Sequence, residues 1–276
     1  MFDHSGNHAP AVGHELSHIA RLGAEGLSCW TSVPTRRNPE KPPLVAVHGL
    51  HRGAKSQASL LAPHAALSGQ TVIAPLFDRE DWPHYQQVVR KRRADLAFLS
   101  TLDDLAMAGV SRTDRIELCG YSGGAQFAHR FAMLYPHRVA RLTLIAAGWY
   151  TFPDPKPFPR GLGAPTSRHN AWQPRSVGDL APFLSLPIRV LIGTEDDVVD
   201  ENTRSGPDLD AQQGRTRRER AARWVSAMED AARLSGIQTN IKLIELDGCG
   251  HDFQTCLAHP EAHRQLFPTP QTLQAR

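Results

Sequence analysis

Arg115-Ile116-Glu117-Leu118-Cys119-Gly120-Tyr121-Ser122-Gly123-Gly124 runs from a short apolar segment into a serine flanked by glycines. Beyond it Phe127, Phe131 and Leu134 recur at helical spacing, so Ser122 is expected at a sharp strand-to-helix turn. Such a turn needs small residues on both sides. Gly120 and Gly124 leave room for a strained backbone and for close helix packing, and the serine oxygen is pushed clear of the chain. The five residues Gly-x-Ser-x-Gly are a weak signal alone, and their weight comes from what surrounds them.

Upstream, Leu16 to Leu22 and Leu27 to Val33 read as two strands joined by a glycine-containing turn, an antiparallel pair at a sheet edge. A Pro-rich connector then reaches Leu44-Val45-Ala46-Val47, an unbroken apolar run that suits a strand covered on both faces. It ends in His48-Gly49-Leu50. A helix over Ser56 to Ser68, a strand over Thr71 to Phe77 and a helix over about Tyr85 to Met107 precede the serine turn. Downstream, Leu142 to Ala147, Ile188 to Ile192 and Ile241 to Leu246 read as further strands, the last two separated by a helix in which Ala221, Trp224, Val225, Met228 and Ala232 share a face. This alternation predicts an α/β fold with a mostly parallel central sheet and helices on both faces.

With 276 residues, the chain is read as one domain, residues 1–276, with a polar leader over 1–15. Residues 149–187 carry eight prolines and no sustained periodicity, and are expected to form a small cap or lid. A second polar segment, 200–214, is also expected to shape a pocket. Hydrophobic content of 41% with 21% charged residues is that of an ordinary globular protein. The net charge of +3 is small, and the clusters Arg90 to Arg93 and Arg215 to Arg220 read as solvated helix faces, which argues against nucleic-acid binding.

No run is long and apolar enough to span a membrane and the first thirty residues lack a secretory pattern, so the expected location is the cytoplasm. Cys29, Cys119, Cys249 and Cys256 fit reduced thiols there, with a local Cys249–Cys256 pair left open. The N-terminal histidines His4, His8, His14 and His18 lack a metal-ligand spacing, and no metal or organic cofactor is expected.

A serine hydroxyl needs an adjacent base, itself held by a carboxylate, to act as a nucleophile near neutral pH. The chain offers Gly193-Thr194-Glu195-Asp196-Asp197-Val198 after one strand and Gly248-Cys249-Gly250-His251 after the last. Residues just past the carboxyl ends of parallel strands line the ligand crevice, so Ser122, an acid near 196 and His251 are expected to meet.

In element order and in four motifs, His48-Gly49, the serine turn, the acid loop and Gly-x-Gly-His, residues 40 to 267 resemble the α/β-hydrolase superfamily. That resemblance implies Ser122 as nucleophile, His251 as general base and Asp196 as the orienting acid, with Asp197 as the alternative. It further implies an oxyanion hole from the backbone N–H groups of Gly123 and Leu50, with His48 bracing that loop. Gly120 to Pro136 and a helix-rich C-terminal half resemble the dienelactone-hydrolase and polyhydroxyalkanoate-depolymerase-like branches, although Ser122 stands where authentic dienelactone hydrolases carry cysteine.

His51 and Arg52 could face the pocket or hold their loop, and Trp149 and Tyr150 could line the pocket or pack the lid. The function implied is cleavage of a small-molecule carboxylic ester, or a thioester or amide, through an acyl-enzyme. The alternatives are a lyase using the same triad and a ligand sensor with little turnover. A homodimer could form through an exposed edge strand or an apolar face of the cap.

Overall fold

The computed structural model describes residues 13–199 and 203–268. An eight-stranded sheet runs through the molecule in the order β1-β2-β4-β3-β5-β6-β7-β8. Its strands are β1 His14–Ile19, β2 Cys29–Pro34, β3 Leu44–Val47, β4 Val72–Pro75, β5 Ile116–Tyr121, β6 Val139–Ile145, β7 Pro187–Gly193 and β8 Asn240–Leu246. The strand β2 is antiparallel to both β1 and β4, and every other pairing is parallel. The expected edge hairpin is therefore present, and its first strand starts at His14, inside the stretch read as a leader. Residues 1–12, with His4 and His8, lie outside the described residues.

Every residue of β3 and β4 is buried, as the unbroken apolar runs require of strands covered on both sides. The covering helices are α1 Ala54–Leu67, α2 Ala94–Met107, α3 Gly123–Leu134, α4 Ala181–Leu184, α5 Pro207–Gln213, α6 Arg217–Leu234, α7 Phe253–Ala258 and α8 Pro260–Leu266. None of the helices among the described residues is long and apolar enough to cross a membrane.

The expected helix from Tyr85 to Met107 is broken. A single 3₁₀ turn spans Tyr85–Gln87, and α2 starts only at Ala94. In between, Val88 and Arg93 adopt positive φ of 46° and 51°, which a helix cannot contain. Partners outside the segment take its carbonyls: Arg130 donates to Gln86 O and the Ala171 N–H donates to Val89 O. Apolar spacing survives because Val88 and Val89 are buried all the same, but tertiary hydrogen bonds replace the helical ladder. The cluster Arg90 to Arg93 therefore lies in a turn, where Arg92 pairs with Asp81 and Arg93 with Asp95.

The cluster Arg215 to Arg220 also departs from a solvated face, since Arg217 and Arg220 are buried. The Arg220 guanidinium donates to Gly214 O and Gly148 O and pairs with Asp210, tying α5 to the loop after β6. Thus the segment 200–214 holds a short helix. All four cysteines are buried free thiols, so Cys249 and Cys256 do not pair.

Residues 149–187 are packed onto the body of the molecule. Phe158 stacks on Trp172 with centroids 4.2 Å apart, and both are buried. Tyr150 stacks on Trp224 of α6 at 4.9 Å, while Trp224 Nε1 donates to Thr151 O at 2.9 Å. Trp224 thus joins the segment to α6 by stacking and by a hydrogen bond. Trp224→Ala is expected to lower stability by about 3–5 kcal/mol, the usual cost of truncating a buried large aromatic, as read from the shift of the urea unfolding midpoint.

Candidate active site

Ser122 follows β5 with φ 53° and ψ −113°, a conformation that non-glycine residues rarely hold. Two features enforce it. The Ser122 N–H donates to Ile145 O at 2.8 Å. The turn is also closed sterically: a Cβ at Gly120 would stand 2.3 Å from Gly124 O, and one at Gly124 only 1.9 Å from Val47 O. The glycines expected from sequence are thus the residues that let β3, β5 and α3 meet at this point.

Asp196 and His251 come from the loops after β7 and β8, and these two loops are laced together. The Glu195 N–H donates to Cys249 O, the Thr194 N–H to Leu246 O and the Gly248 N–H to Thr194 Oγ1. A Cβ at Gly193 would stand 1.9 Å from Cys249 O, so the close approach depends on glycine there too. The result is a hydrogen-bonded line in which His251 Nε2 lies 3.2 Å from Ser122 Oγ and His251 Nδ1 lies 2.8 Å from Asp196 Oδ2. Asp196 is 2% exposed, whereas Glu195 and Asp197 are exposed. Of the adjacent acids, Asp196 alone is bonded to the imidazole.

The other carboxylate oxygen of Asp196 accepts from Arg217 Nη1 at 3.1 Å, a pair in which both side chains are almost fully buried. Arg217 also donates to Val198 O. The sequence reading missed this residue, although a signal was present. Thr216 and Glu219 form a capping box, which starts α6 at Arg217. Tyr121 supports the histidine from below: its ring stacks on the His251 ring at 5.2 Å and its hydroxyl donates to His251 O at 3.0 Å. Burial pushes the Tyr121 hydroxyl well up from its ordinary range, so it stays a donor.

His48 is buried beneath the loop that carries Leu50. Its Nδ1 bonds Gly49 O and its Nε2 accepts from the Phe77 N–H at 3.0 Å, while His48 O accepts from the Tyr85 hydroxyl. These bonds define a neutral Nδ1–H ring whose task is to hold the loop. The Leu50 side chain lies against Gly123, where an added Cβ would come within 2.9 Å of Leu50 Cδ2.

A cavity of about 480 Å³ opens at Ser122, with Leu50, His51, Gln57, Gln126, Arg217 and His251 among its walls. The other pocket candidates lie elsewhere. Arg52 donates to Trp82 O, with its guanidinium over the Tyr85 ring. Trp149 is held against the Arg130 and Arg204 guanidinium groups, and Tyr150 is buried against Trp224. No residue from 149 to 187 lines this cavity. Among the described residues, no group of three His, Cys, Asp or Glu side chains is placed to hold a metal ion.

Burial lowers the His48 pKa to about 4 from the ordinary 6.5, the Gly49 bond only partly offsetting it, and it also holds that of His129 well below 6.5. His129 is likewise held neutral, with Nδ1 on Ala125 O and Nε2 accepting from the Thr151 N–H. Below pH 6.5 the unfolded chain takes up protons that the folded chain refuses, so acidification favours unfolding until about pH 4, where His48 protonates in the folded state as well. Above pH 6.5 both states are neutral at these rings and the contribution is flat. Between pH 7.5 and 5, His48 is expected to remove about 2 kcal/mol of stability. Denaturation at a series of pH values should show this slope in the wild type and a shallower one in His48→Gln.

Neither a protein-family model nor a curated protein matches the chain. Solved structures do. Poly(aspartic acid) hydrolase-1 from Sphingomonas sp. KT-1 is 24% identical, with a TM-score of 0.75 over 92% of this chain and 98% of that one. A poly(3-hydroxybutyrate) depolymerase from Bordetella parapertussis is 25% identical, with a TM-score of 0.73 over 92% of this chain and 94% of that one. A CE1 ferulic acid esterase from Anaeromyces mucronatus is 14% identical, with a TM-score of 0.58 over 96% of this chain and 94% of that one. These structures are α/β hydrolases. By the topology of its sheet and its likeness to these structures, the chain carries the α/β-hydrolase fold.

Proposed function

We propose that the chain is a serine hydrolase that cleaves a small-molecule carboxylic ester through an acyl-enzyme. The observation that carries this reading is the line Ser122 Oγ, His251, Asp196, with separations of 3.2 and 2.8 Å at the ends of three parallel strands. Ser122 Oγ attacks the carbonyl carbon as its proton passes to His251 Nε2, and the developing oxyanion accepts from the Leu50 and Gly123 N–H groups. The imidazolium then protonates the departing alcohol. Water, deprotonated by the same nitrogen, attacks the acyl-enzyme and releases the acid. Asp196 holds the imidazole with its Nδ1–H inward throughout. The described relatives in structure, two polymer-degrading hydrolases and an esterase, favour acyl transfer from an ester or amide over other uses of such a triad.

Ser122→Ala is expected to reduce kcat for a p-nitrophenyl ester by at least about a thousandfold while leaving the Tm within a few degrees. A fluorophosphonate probe should label the wild type at Ser122 and nowhere else. Absence of labelling on folded protein would overturn the assignment.

Arg217 is assigned as a positioning residue acting through Asp196. Arg217→Met removes the cation from a carboxylate that stays buried, so kcat/KM is expected to fall about ten- to a hundredfold, in keeping with a charged hydrogen bond of about 1.5–3 kcal/mol. With its countercharge gone, Asp196 stabilises the imidazolium more strongly, and the acidic limb of the pH–rate profile should move to higher pH. A merely structural role would lower the rate without moving that limb.

A further inference from the structure

Two glutamines stand in the wall of the Ser122 cavity with an unpaired amide oxygen. Gln57, in the first turn of α1, is 4% exposed, and Gln126, one turn along α3 from Ser122, is 5% exposed. Both line the cavity. Among the described residues, neither carboxamide takes part in any hydrogen bond, and the Oε1 of each is buried without a donor.

Elsewhere in the chain Gln70 donates to Pro42 O and Glu117 Oε2 but leaves its Oε1 without a donor, as does Gln86, whereas Gln213 and Gln265 are paired at both ends. Gln213 accepts from the Tyr150 N–H at 2.9 Å and donates to Tyr150 O at 2.8 Å. Gln265 accepts from Arg189 Nε and donates to Glu261 Oε1. An amide oxygen shut away from water without a donor destabilises the fold, and an apolar side chain of similar size would fill either position at no such cost. Two such amides flanking one cavity therefore point to a partner that arrives from outside. Because a carboxamide both donates and accepts, its match is a group that does the same, a hydroxyl or a secondary amide.

We infer that Gln57 and Gln126 form a polar recognition pair for the acyl group, and that the substrate is an ester whose acyl chain carries a hydroxyl or an amide near the scissile carbonyl. This rests on the serine-hydrolase reading and narrows it from esters in general to polar acyl esters. A site built to hydrogen-bond a substrate group rejects the analogue that lacks it, because the buried protein groups are then left unpaired.

Two matched pairs of p-nitrophenyl esters test the inference at constant leaving group. The first pair is 3-hydroxybutyrate against 3-methylbutyrate, which exchanges a hydroxyl for a methyl. The second is N-acetylglycinate against 4-oxopentanoate, which exchanges an N–H for a methylene. In at least one pair, kcat/KM for the polar ester should exceed that of its apolar isostere by tenfold or more in the wild type. In Gln57→Met or Gln126→Met that ratio should fall toward one, while the Tm stays level or rises by about 2 °C or more, as relief of an unpaired buried amide requires. A ratio at or below one in both pairs, or a high ratio that survives in both variants, overturns the inference.

Binding separates this outcome from failure of the hydrolase reading. Titration of Ser122→Ala with ethyl N-acetylglycinate and ethyl 4-oxopentanoate, followed by NMR, should show at least tenfold tighter binding of the former, lost when Gln57→Met or Gln126→Met is added. Preferential binding without Ser122-dependent turnover of any ester would sink the hydrolase reading and leave polar recognition standing. Turnover without preference in either assay would do the reverse.

Discussion

A contact with no space to spare lies at the centre of this molecule: the backbone of α3 enters so close to the end of β3 that a Cβ on Gly124 would touch the Val47 carbonyl. That approach forces Ser122 into its unusual backbone conformation and turns its side chain toward the cavity. The neighbouring strands supply the opposing force. Parallel register sets Val47 beside Gly120 and Tyr121 beside Ile145, and Ile145 O receives the Ser122 N–H. A strained turn of this kind persists only where the surroundings over-determine it, and here the adjacent parallel strands β3, β5 and β6 do so.

The electrostatic arrangement follows from the same geometry. Asp196 sits where water cannot reach its carboxylate, a position that is unfavourable unless both oxygens are satisfied. One is met by His251 from the loop after β8 and the other by Arg217 from the first turn of α6, so the carboxylate is satisfied from two sides. Tyr121 adds a stacked ring and a hydrogen bond to the histidine backbone, which leaves the imidazole little freedom to turn. Buried His48 and His129 lack such a carboxylate and are kept neutral by their backbone partners. Environment, rather than residue type, thus separates the histidine bonded between Ser122 and Asp196 from those bonded only to backbone groups.

The neighbourhood of the cavity also separates two kinds of packing. The aromatic-rich segment after β6 is held down by stacking of Phe158 on Trp172 and of Tyr150 on Trp224, and contributes no wall to the cavity. The walls come instead from the loop after β3, the start of α1, the end of β5, Gly148 just before that segment, the first turns of α3 and α6, and the histidine loop. Gln57 and Gln126 bring polar groups to the cavity from α1 and α3, a different chemistry from the aromatic core a few residues away.

Local residue patterns were enough to read the strands, the glycine-flanked serine turn and the order of serine, acid and histidine. Those features are written in short-range chemistry: apolar runs for strands buried on both faces, glycine where backbones touch, and loop residues at strand ends. Asp196 could not be distinguished from Asp197 on that basis, because adjacent residues differ only in which way the loop turns them. Arg217 read as part of a solvated basic cluster, and Val88 to Arg93 as helix, because periodicity reports which residues are apolar or charged and not which distant groups will take their hydrogen bonds. Burial of Arg217 against Asp196 and the break before α2 are settled by partners far away along the chain, and those partners exist only once the sheet has brought its loops together.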